Sequence, residues 1–342
     1  VDLADYDYAL PRERIAQHPT PDRDGARMLV LERASGGLRH SRVRELAAWL
    51  RPGDLLVRNA TRVLPARLRG RGPGGGSVEA LLLGPGDLPG RFRALLRSRG
   101  RARVGQKLRF ARGPVVREAE IARVGEVGLV LLDFAPGADP YAAGETPLPP
   151  YIRRAAEEPL DAERYQTIFA RVPGSVAAPT AGLHLSEAIF AGLAARAVAT
   201  AEVVLHVGPG TFRPLRAEDL ARGRLHPEPY EVPEATARAV AAARAAGGRV
   251  VAVGTTTARA LETQARSDGS VAAGSGSTEL LLAPGASFRA VDALLTNFHL
   301  PRSSLLLLVA AFAGRERTLA AYAEAIAAGY RFYSYGDAML IL

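Results

Sequence analysis

The chain has no cysteine in its 342 residues. That absence excludes a disulfide framework, a thiolate metal site and a cysteine nucleophile together, and it fits a cytoplasmic protein. Lysine is almost missing too: Lys107 stands alone, and arginine supplies the other side-chain positive charges. Long apolar runs are absent. The longest, Leu305–Ala313, has nine residues, where a helical membrane span needs about 20. It reads as a buried strand or core helix, and no membrane association is expected. Val1 to Asp7 carries three acids and no basic residue, unlike a signal peptide. The six histidines (His18, His40, His184, His206, His226, His299) never stand four residues apart, so no metal site is expected. No Gly-x-Ser-x-Gly elbow occurs, which argues against a serine hydrolase.

What is present suits a folded enzyme. Hydrophobic residues make up 48% of the chain and charged residues 23%, enough for a real core and too apolar for disorder. The length suggests two domains. Net charge is +9, and one segment holds the whole excess. From Arg62 to Arg112 thirteen basic residues face only Glu79 and Asp87, so that segment is +11 and the remainder −2. A one-signed field on one module attracts a polyanion through phosphate contacts. Charge alone equally allows a solvated sheet face that happens to use arginine.

The same region has its own texture. Residues 64–147 are dense in glycine and proline, with short apolar runs such as Val78–Leu83 and Arg91–Leu96. Ile121–Val124 and Leu129–Phe134 flank Gly125-Glu-Val-Gly128, a hairpin signal. Short strands with frequent turns predict a small β-barrel. On either side the pattern is α/β. Helices are expected at Arg42–Leu50, Ser186–Arg196, Pro233–Ala246 and Thr256–Arg266, and strands at Asp54–Arg58, Ala201–His206 and Arg249–Val253. Alternation of this kind predicts a largely parallel α/β domain, barrel-like or layered, built from 1–63 and 148–342, with the basic barrel of 64–147 inserted. Ser267–Ser277 reads as a flexible loop.

Several segments place glycine, threonine, asparagine or histidine just after an apolar strand. In parallel sheets ligands bind beyond the carboxyl ends of the strands, so these loops should meet. Val250–Val253 runs into Gly254, three threonines, Arg259 and Glu262; a helix start there offers free N–H groups to an anion, although one threonine could simply cap the helix. His206 ends an apolar strand and is followed by Gly208 and Gly210, where backbone can approach a ligand. Ala177-Ala-Pro-Thr-Ala-Gly-Leu-His184 offers small residues and a histidine suited to proton transfer. Asn297 and His299 interrupt an apolar stretch, which costs stability unless they are paired or used. Asn59-Ala-Thr-Arg62 leads into the basic module. Tyr330 to Tyr335 could stack bases or close a C-terminal core, and Asp337 after Gly336 suggests a function.

In order along the chain, these segments resemble the S-adenosylmethionine:tRNA ribosyltransferase-isomerase family of queuosine biosynthesis. The match runs through Asp7-Tyr-Ala-Leu-Pro11, Ile15-Ala-Gln-His-Pro19, Pro52-Gly-Asp-Leu-Leu56, Asn59 to Val63 and Pro147-Leu-Pro-Pro-Tyr151. It continues through Ala177 to His184, Leu205 to Gly208, Gly210-Thr-Phe212, Gly254-Thr-Thr256, Asn297-Phe-His-Leu-Pro301 and Tyr330 to Asp337. Ala60 stands where the family usually has asparagine, and Leu185 where it has phenylalanine.

The resemblance implies a reaction. The ribosyl part of S-adenosylmethionine would be transferred and isomerised onto the aminomethyl group of 7-aminomethyl-7-deazaguanine at the tRNA wobble position. Epoxyqueuosine-tRNA, adenine and methionine would be the products. S-adenosylmethionine would be consumed rather than act as a cofactor, no metal would be needed, and a cytoplasmic monomer is expected. Such chemistry needs a base for the ribose carbon beside the sulfonium, a neutral amine, and help for departing adenine. On that reading His184 leads as acid or base, with His206 second. Pro179, Thr180, Ala181, Gly182, Gly208, Gly210, Thr211, Thr255 and Thr256 would shape the nucleoside pocket. Asn59, Thr61, Arg62, Glu228, Arg259, Asn297 and His299 would hold polar groups. Two other classes remain open on the residues alone: a non-enzymatic RNA-binding protein or chaperone using the +11 segment, and an unrelated phosphate- or nucleotide-binding transferase using Gly254–Thr257.

Overall fold

Four short segments, Ala199–Leu205, Leu55–Asn59, Val250–Val253 and Ala293–Asn297, lie side by side and parallel. Their apolar runs are buried on both faces, as parallel strands between helices must be. They form the centre of a nine-stranded sheet in a computed structural model that describes residues 1–154, 158–212, 215 and 217–342. Beyond Ala293–Asn297 come Ala338–Ile341, Arg27–Leu31 and Leu38–Arg42; beyond Ala199–Leu205 come Arg224–Val232 and Gly274–Leu280. Arg27–Leu31 pairs parallel with Ala338–Ile341, while the other outer pairings are antiparallel. The domain is thus layered, with a parallel centre and antiparallel flanks.

Side chains alternate between two cores. Leu55, Val57, Val203, Leu205, Ala252 and Leu294 face helices Glu234–Ala245, Thr255–Thr263, Ser304–Ala313 and Arg315–Ala327. Leu56, Val251, Val253, Leu295 and Leu340 face Leu46–Trp49 and Glu187–Ala195. The apolar run Leu305–Ala313 is therefore a core helix. Truncating one of these fully buried leucines to alanine costs about 2–5 kcal/mol.

Six antiparallel strands make the barrel: Arg67–Arg71, Ser77–Pro85, Arg91–Ser98, Leu129–Phe134, Val115–Val124 and Lys107–Arg112. Gly70 and Arg71 pair with Phe110 and Arg109 and close it. Closure requires glycine at that position, because a Cβ on Gly70 would lie 2.2 Å from the Arg109 carbonyl oxygen. Leu68, Val78, Leu82, Leu108, Phe110, Ile121 and Leu132 fill the interior. Period-two alternation then turns Arg69, Arg93, Arg97, Lys107 and Arg109 outward.

The +11 segment does not stay alone in space. Residues 113–147 contain six acids and two arginines. Their strands set Glu120 opposite Lys107, Glu118 opposite Arg109 and Asp133 opposite Arg91. Arg91 grips Asp133 with two bonds of 2.6 and 2.9 Å. Arg93, Arg97, Arg99, Arg101 and Arg103 remain exposed on one strand and the loop after it.

Two local expectations are corrected. Gly274–Leu280 is a strand, not part of a flexible loop. Its partner Arg224–Val232 is distant in sequence, and Gly276 lies against the Tyr230 ring, so local composition could not reveal the pairing. Arg42–Leu50 is not one helix; it divides into a 3-10 turn at Val43–Glu45 and the short helix Leu46–Trp49.

Candidate active site

Beyond the carboxyl ends of Ala199–Leu205, Val250–Val253 and Ala293–Asn297 lies a cleft lined by Val207, Gly254 and Phe298 among others. The helix Thr255–Thr263 starts directly after Val253. Gly254 makes the turn at φ 87°, and no side chain caps the first N–H groups. Gly254, Thr255 and Thr256 line the cleft, so these donors and the positive end of the helix dipole border it. Ser303, which also lines the cleft, caps the helix Ser304–Ala313. The 3-10 turn Thr180–His184 and the loop after Asn297 complete the enclosure.

Polar side chains on the wall are mostly neutral. The Thr180 hydroxyl donates to Asn297 Oδ1 at 2.9 Å. Asn297 Nδ2 therefore faces two acceptors, the Tyr333 carbonyl at 3.3 Å and His184 Nε2 at 3.1 Å. This assigns His184 an unprotonated Nε2 and a protonated Nδ1, the latter directed at the Arg23 backbone. Burial, and secondarily the Arg331 charge, push His184 down to about 4. It is a neutral ring behind Asn297 and does not line the cleft. The structure thus places His184, expected to lead proton transfer, one residue behind the cleft wall, in contact with Asn297.

Asn59 is likewise a brace. Its amide donates to the Leu205 carbonyl at 2.9 Å and to Thr256 Oγ1 at 3.2 Å. Its carbonyl accepts the N–H groups of Thr61 and Leu205, each at 3.1 Å. Thr61 in turn reaches His206 Nδ1 at 2.8 Å. The His206 ring lies flat on Gly174, where any Cβ would come within 2.7 Å of it. Half-buried and lowered in pKa by that burial, His206 sits beside the cleft while its neighbour Val207 lines it.

A third cluster joins the helix Thr255–Thr263 to the antiparallel flank. The Arg259 guanidinium donates to Glu228, and both are almost fully buried. Glu228 also accepts the Gly208 N–H at 2.8 Å, and Arg259 Nε donates to the Leu280 carbonyl at 3.0 Å. These residues bind each other across elements and are not among the residues lining the cleft.

Of the residues singled out from the sequence, Pro179, Thr180, Ala181, Thr255, Thr256, Asn297 and His299 line the cleft. Asn59 and His184 stand behind Thr256 and Asn297, and Thr61 is reached through Asn59. Gly182 is packed under Phe169 and Thr167, and a Cβ on Gly210 would press on His226 at 3.0 Å. Arg62 is exposed on the strand Thr61–Val63 and is not on the cleft wall. Thr211 belongs to the 3-10 turn Pro209–Phe212, and its side chain lies outside the described residues. Among the described residues no group of three or more His, Cys, Asp or Glu could hold a metal ion, and no helix is long and apolar enough to cross a membrane.

The family described as queuosine biosynthesis protein matches residues 3–341. A relative from Anaeromyxobacter dehalogenans (strain 2CP-C), named S-adenosylmethionine:tRNA ribosyltransferase-isomerase, is 54% identical over 99% of each chain. This chain belongs to that ribosyltransferase-isomerase family. A relative of the same name from Thermus thermophilus is 52% identical, again over 99% of both chains. The crystal structure of S-adenosylmethionine tRNA ribosyltransferase from Thermotoga maritima is 38% identical, covers 99% of this chain and 100% of its own, and superposes with a TM-score of 0.58.

In this member of the ribosyltransferase-isomerase family, sequence reasoning missed Thr296 and Ser303 on the cleft wall and gave Tyr151 and Phe298 no role, while Tyr333 and Ser334 belong to the run read as base-stacking or core-closing. Tyr151 closes the motif Pro147-Leu-Pro-Pro-Tyr151 and bonds the Ser334 hydroxyl at 2.7 Å. Its ring meets Tyr333 at 4.8 Å between centroids. Tyr333 holds φ at 70°, an unusual conformation for a bulky residue and one that clusters at binding sites. The aromatic run is thus split: Tyr330 and Phe332 close the core, while Tyr333 and Ser334 face the cleft. Asp337 is structural, accepting the Arg27 and Arg331 backbone N–H groups at 3.0 and 2.8 Å.

Proposed function

We propose that this chain transfers and isomerises the ribosyl group of S-adenosylmethionine onto 7-aminomethyl-7-deazaguanine at the wobble position of tRNA, giving epoxyqueuosine-tRNA, adenine and methionine. The observation that carries the reading is the cleft wall itself. Hydroxyl and amide groups of Thr180, Thr255, Thr296 and Asn297 converge there from separate segments, beside an uncapped helix start. Hydroxyls and an amide suit the ribose hydroxyls, and the free N–H groups after Gly254 suit the methionyl carboxylate. Tyr151, Phe298 and Tyr333 offer aromatic surface to a purine.

The wall carries no carboxylate and no cation among the described residues. That neutrality favours keeping the attacking amine uncharged, since a low-polarity site disfavours an ammonium group. The exposed arginines of the barrel would hold the tRNA backbone, with 64–147 as the tRNA-contacting module and 1–63 and 148–342 as the catalytic part. We take the reaction to run in the cytoplasm without a metal, so EDTA should leave turnover unchanged. The decisive assay is adenine release from S-adenosylmethionine that depends on the aminomethyl-bearing tRNA.

A further inference from the structure

Among the described residues His299 is the one imidazole on the cleft wall, and each of its ring nitrogens faces one hydroxyl. The buried Tyr322 hydroxyl accepts the His299 backbone N–H at 3.0 Å. The same Tyr322 oxygen lies 3.4 Å from His299 Nδ1, where its own proton can be donated to that nitrogen. A phenol that donates to Nδ1 leaves the neutral ring protonated on Nε2. Nε2 lies 3.4 Å from the hydroxyl of Thr296, which lines the same cleft. The Tyr8 hydroxyl donates to the His299 carbonyl. The Tyr8 and Phe298 rings pack edge-on against Tyr322, each at 5.2 Å between centroids. Backbone N–H, backbone C=O and one ring nitrogen of His299 are thereby all held. Burial keeps the ring neutral, pushing it down to about 3.

We propose that His299 Nε2–H is the hydrogen-bond donor to the adenine that leaves the ribose, and that Tyr322 is the positioning residue that keeps the proton on Nε2. The proposal rests on the ribosyl-transfer reading above. As the ribose C1′–N9 bond breaks, its electron pair moves onto adenine. A fixed, neutral N–H stabilises that charge without surrendering its proton. The proton that adenine finally gains is balanced by the one removed from the ribose carbon beside the sulfonium. A preorganised donor of this kind contributes about 100- to 1,000-fold in rate when it faces developing negative charge. On this assignment His299 and His184 are opposite tautomers.

The test combines a spectroscopic and a kinetic reading on the full chain. Long-range ¹H–¹⁵N spectra of the wild-type chain, with His299→Gln assigning the signal, should show Nε2–H for His299. Tyr322→Phe should move that signal towards a mixture of tautomers. Adenine release with modified tRNA should fall about tenfold in kcat for Tyr322→Phe, with the S-adenosylmethionine KM within about twofold. His299→Leu should lose about a hundredfold, and His299→Gln, which keeps an N–H donor, should recover part of it. A wild-type Nδ1–H tautomer, or His299→Leu turnover within about threefold of wild type, overturns the proposal. If the wild-type chain releases no adenine, the ribosyl-transfer reading fails and takes the adenine contact with it, whereas the tautomer spectrum independently decides the role of Tyr322.

Discussion

His184 Nε2 lies 3.1 Å from Asn297 Nδ2, and the same Asn297 accepts the Thr180 hydroxyl at 2.9 Å. The imidazole thereby sets the rotation of the amide, and the amide sets the hydroxyl. Two cleft-lining groups are oriented by a histidine that never reaches the cleft. Rigidity of this kind is what a site needs to hold a nucleoside in one pose.

The neutral burial of His184 and His299 has a consequence for stability. Their pKa values are pushed down to about 4 and about 3 from an ordinary 6.5. As pH falls through 6.5 the unfolded chain takes up these protons first, so stability is lost progressively from about pH 6.5 to about 4 for His184 and to about 3 for His299. Each ring contributes a slope approaching about 1.4 kcal/mol per pH unit. Urea unfolding of the wild-type chain and of His184→Gln across that range should give a shallower slope for the variant. Equal slopes contradict the neutral burial of His184.

Glu228 and Arg259 stabilise the fold only as a pair. Glu228→Ala leaves a buried guanidinium without its counter-charge and should cost about 3–5 kcal/mol. Replacing both residues with methionine should restore most of that stability. Chemical denaturation of the three variants measures it, and a Glu228→Ala cost below about 1 kcal/mol would show that the pair does not act as a joint.

On the barrel, Arg91 and its neighbours should behave differently. Arg91 is held by Asp133, whereas Arg93, Arg97, Arg99 and Arg101 are exposed. Reversing those four to glutamate should weaken tRNA binding and flatten its dependence on salt, by about 0.7–0.9 in the log–log slope for each phosphate no longer neutralised. Arg91→Ala should leave the slope nearly unchanged. Unaltered tRNA affinity in the four-residue variant would make that face merely solvated.

The sequence makes some of this legible and hides the rest for physical reasons. Strand-end loops can be read because an apolar run followed by Gly254 and threonines, or by Asn297, is a local pattern. The barrel is legible from its short alternating runs and turns. The placement of His184 and His206 is not, because their burial depends on Arg23, Asn297 and Gly174 from remote segments. Glu228 and Arg259 stand as separate polar residues in the sequence and become partners only through the antiparallel flank. Tyr151 and Ser334 meet across 183 positions, a pairing no local spacing encodes. The stretch 62–112 alone overstates the charge of the barrel, which remains basic, because the next strands bring acids alongside.

The central claim is tested by incubating the purified chain with S-adenosylmethionine and tRNA whose wobble base either carries or lacks the aminomethyl group, and quantifying adenine, methionine and S-adenosylhomocysteine. Equimolar adenine and methionine, formed only with the aminomethyl-bearing tRNA, is the predicted result. Adenine release that ignores the aminomethyl group, or S-adenosylhomocysteine as the product, would contradict it.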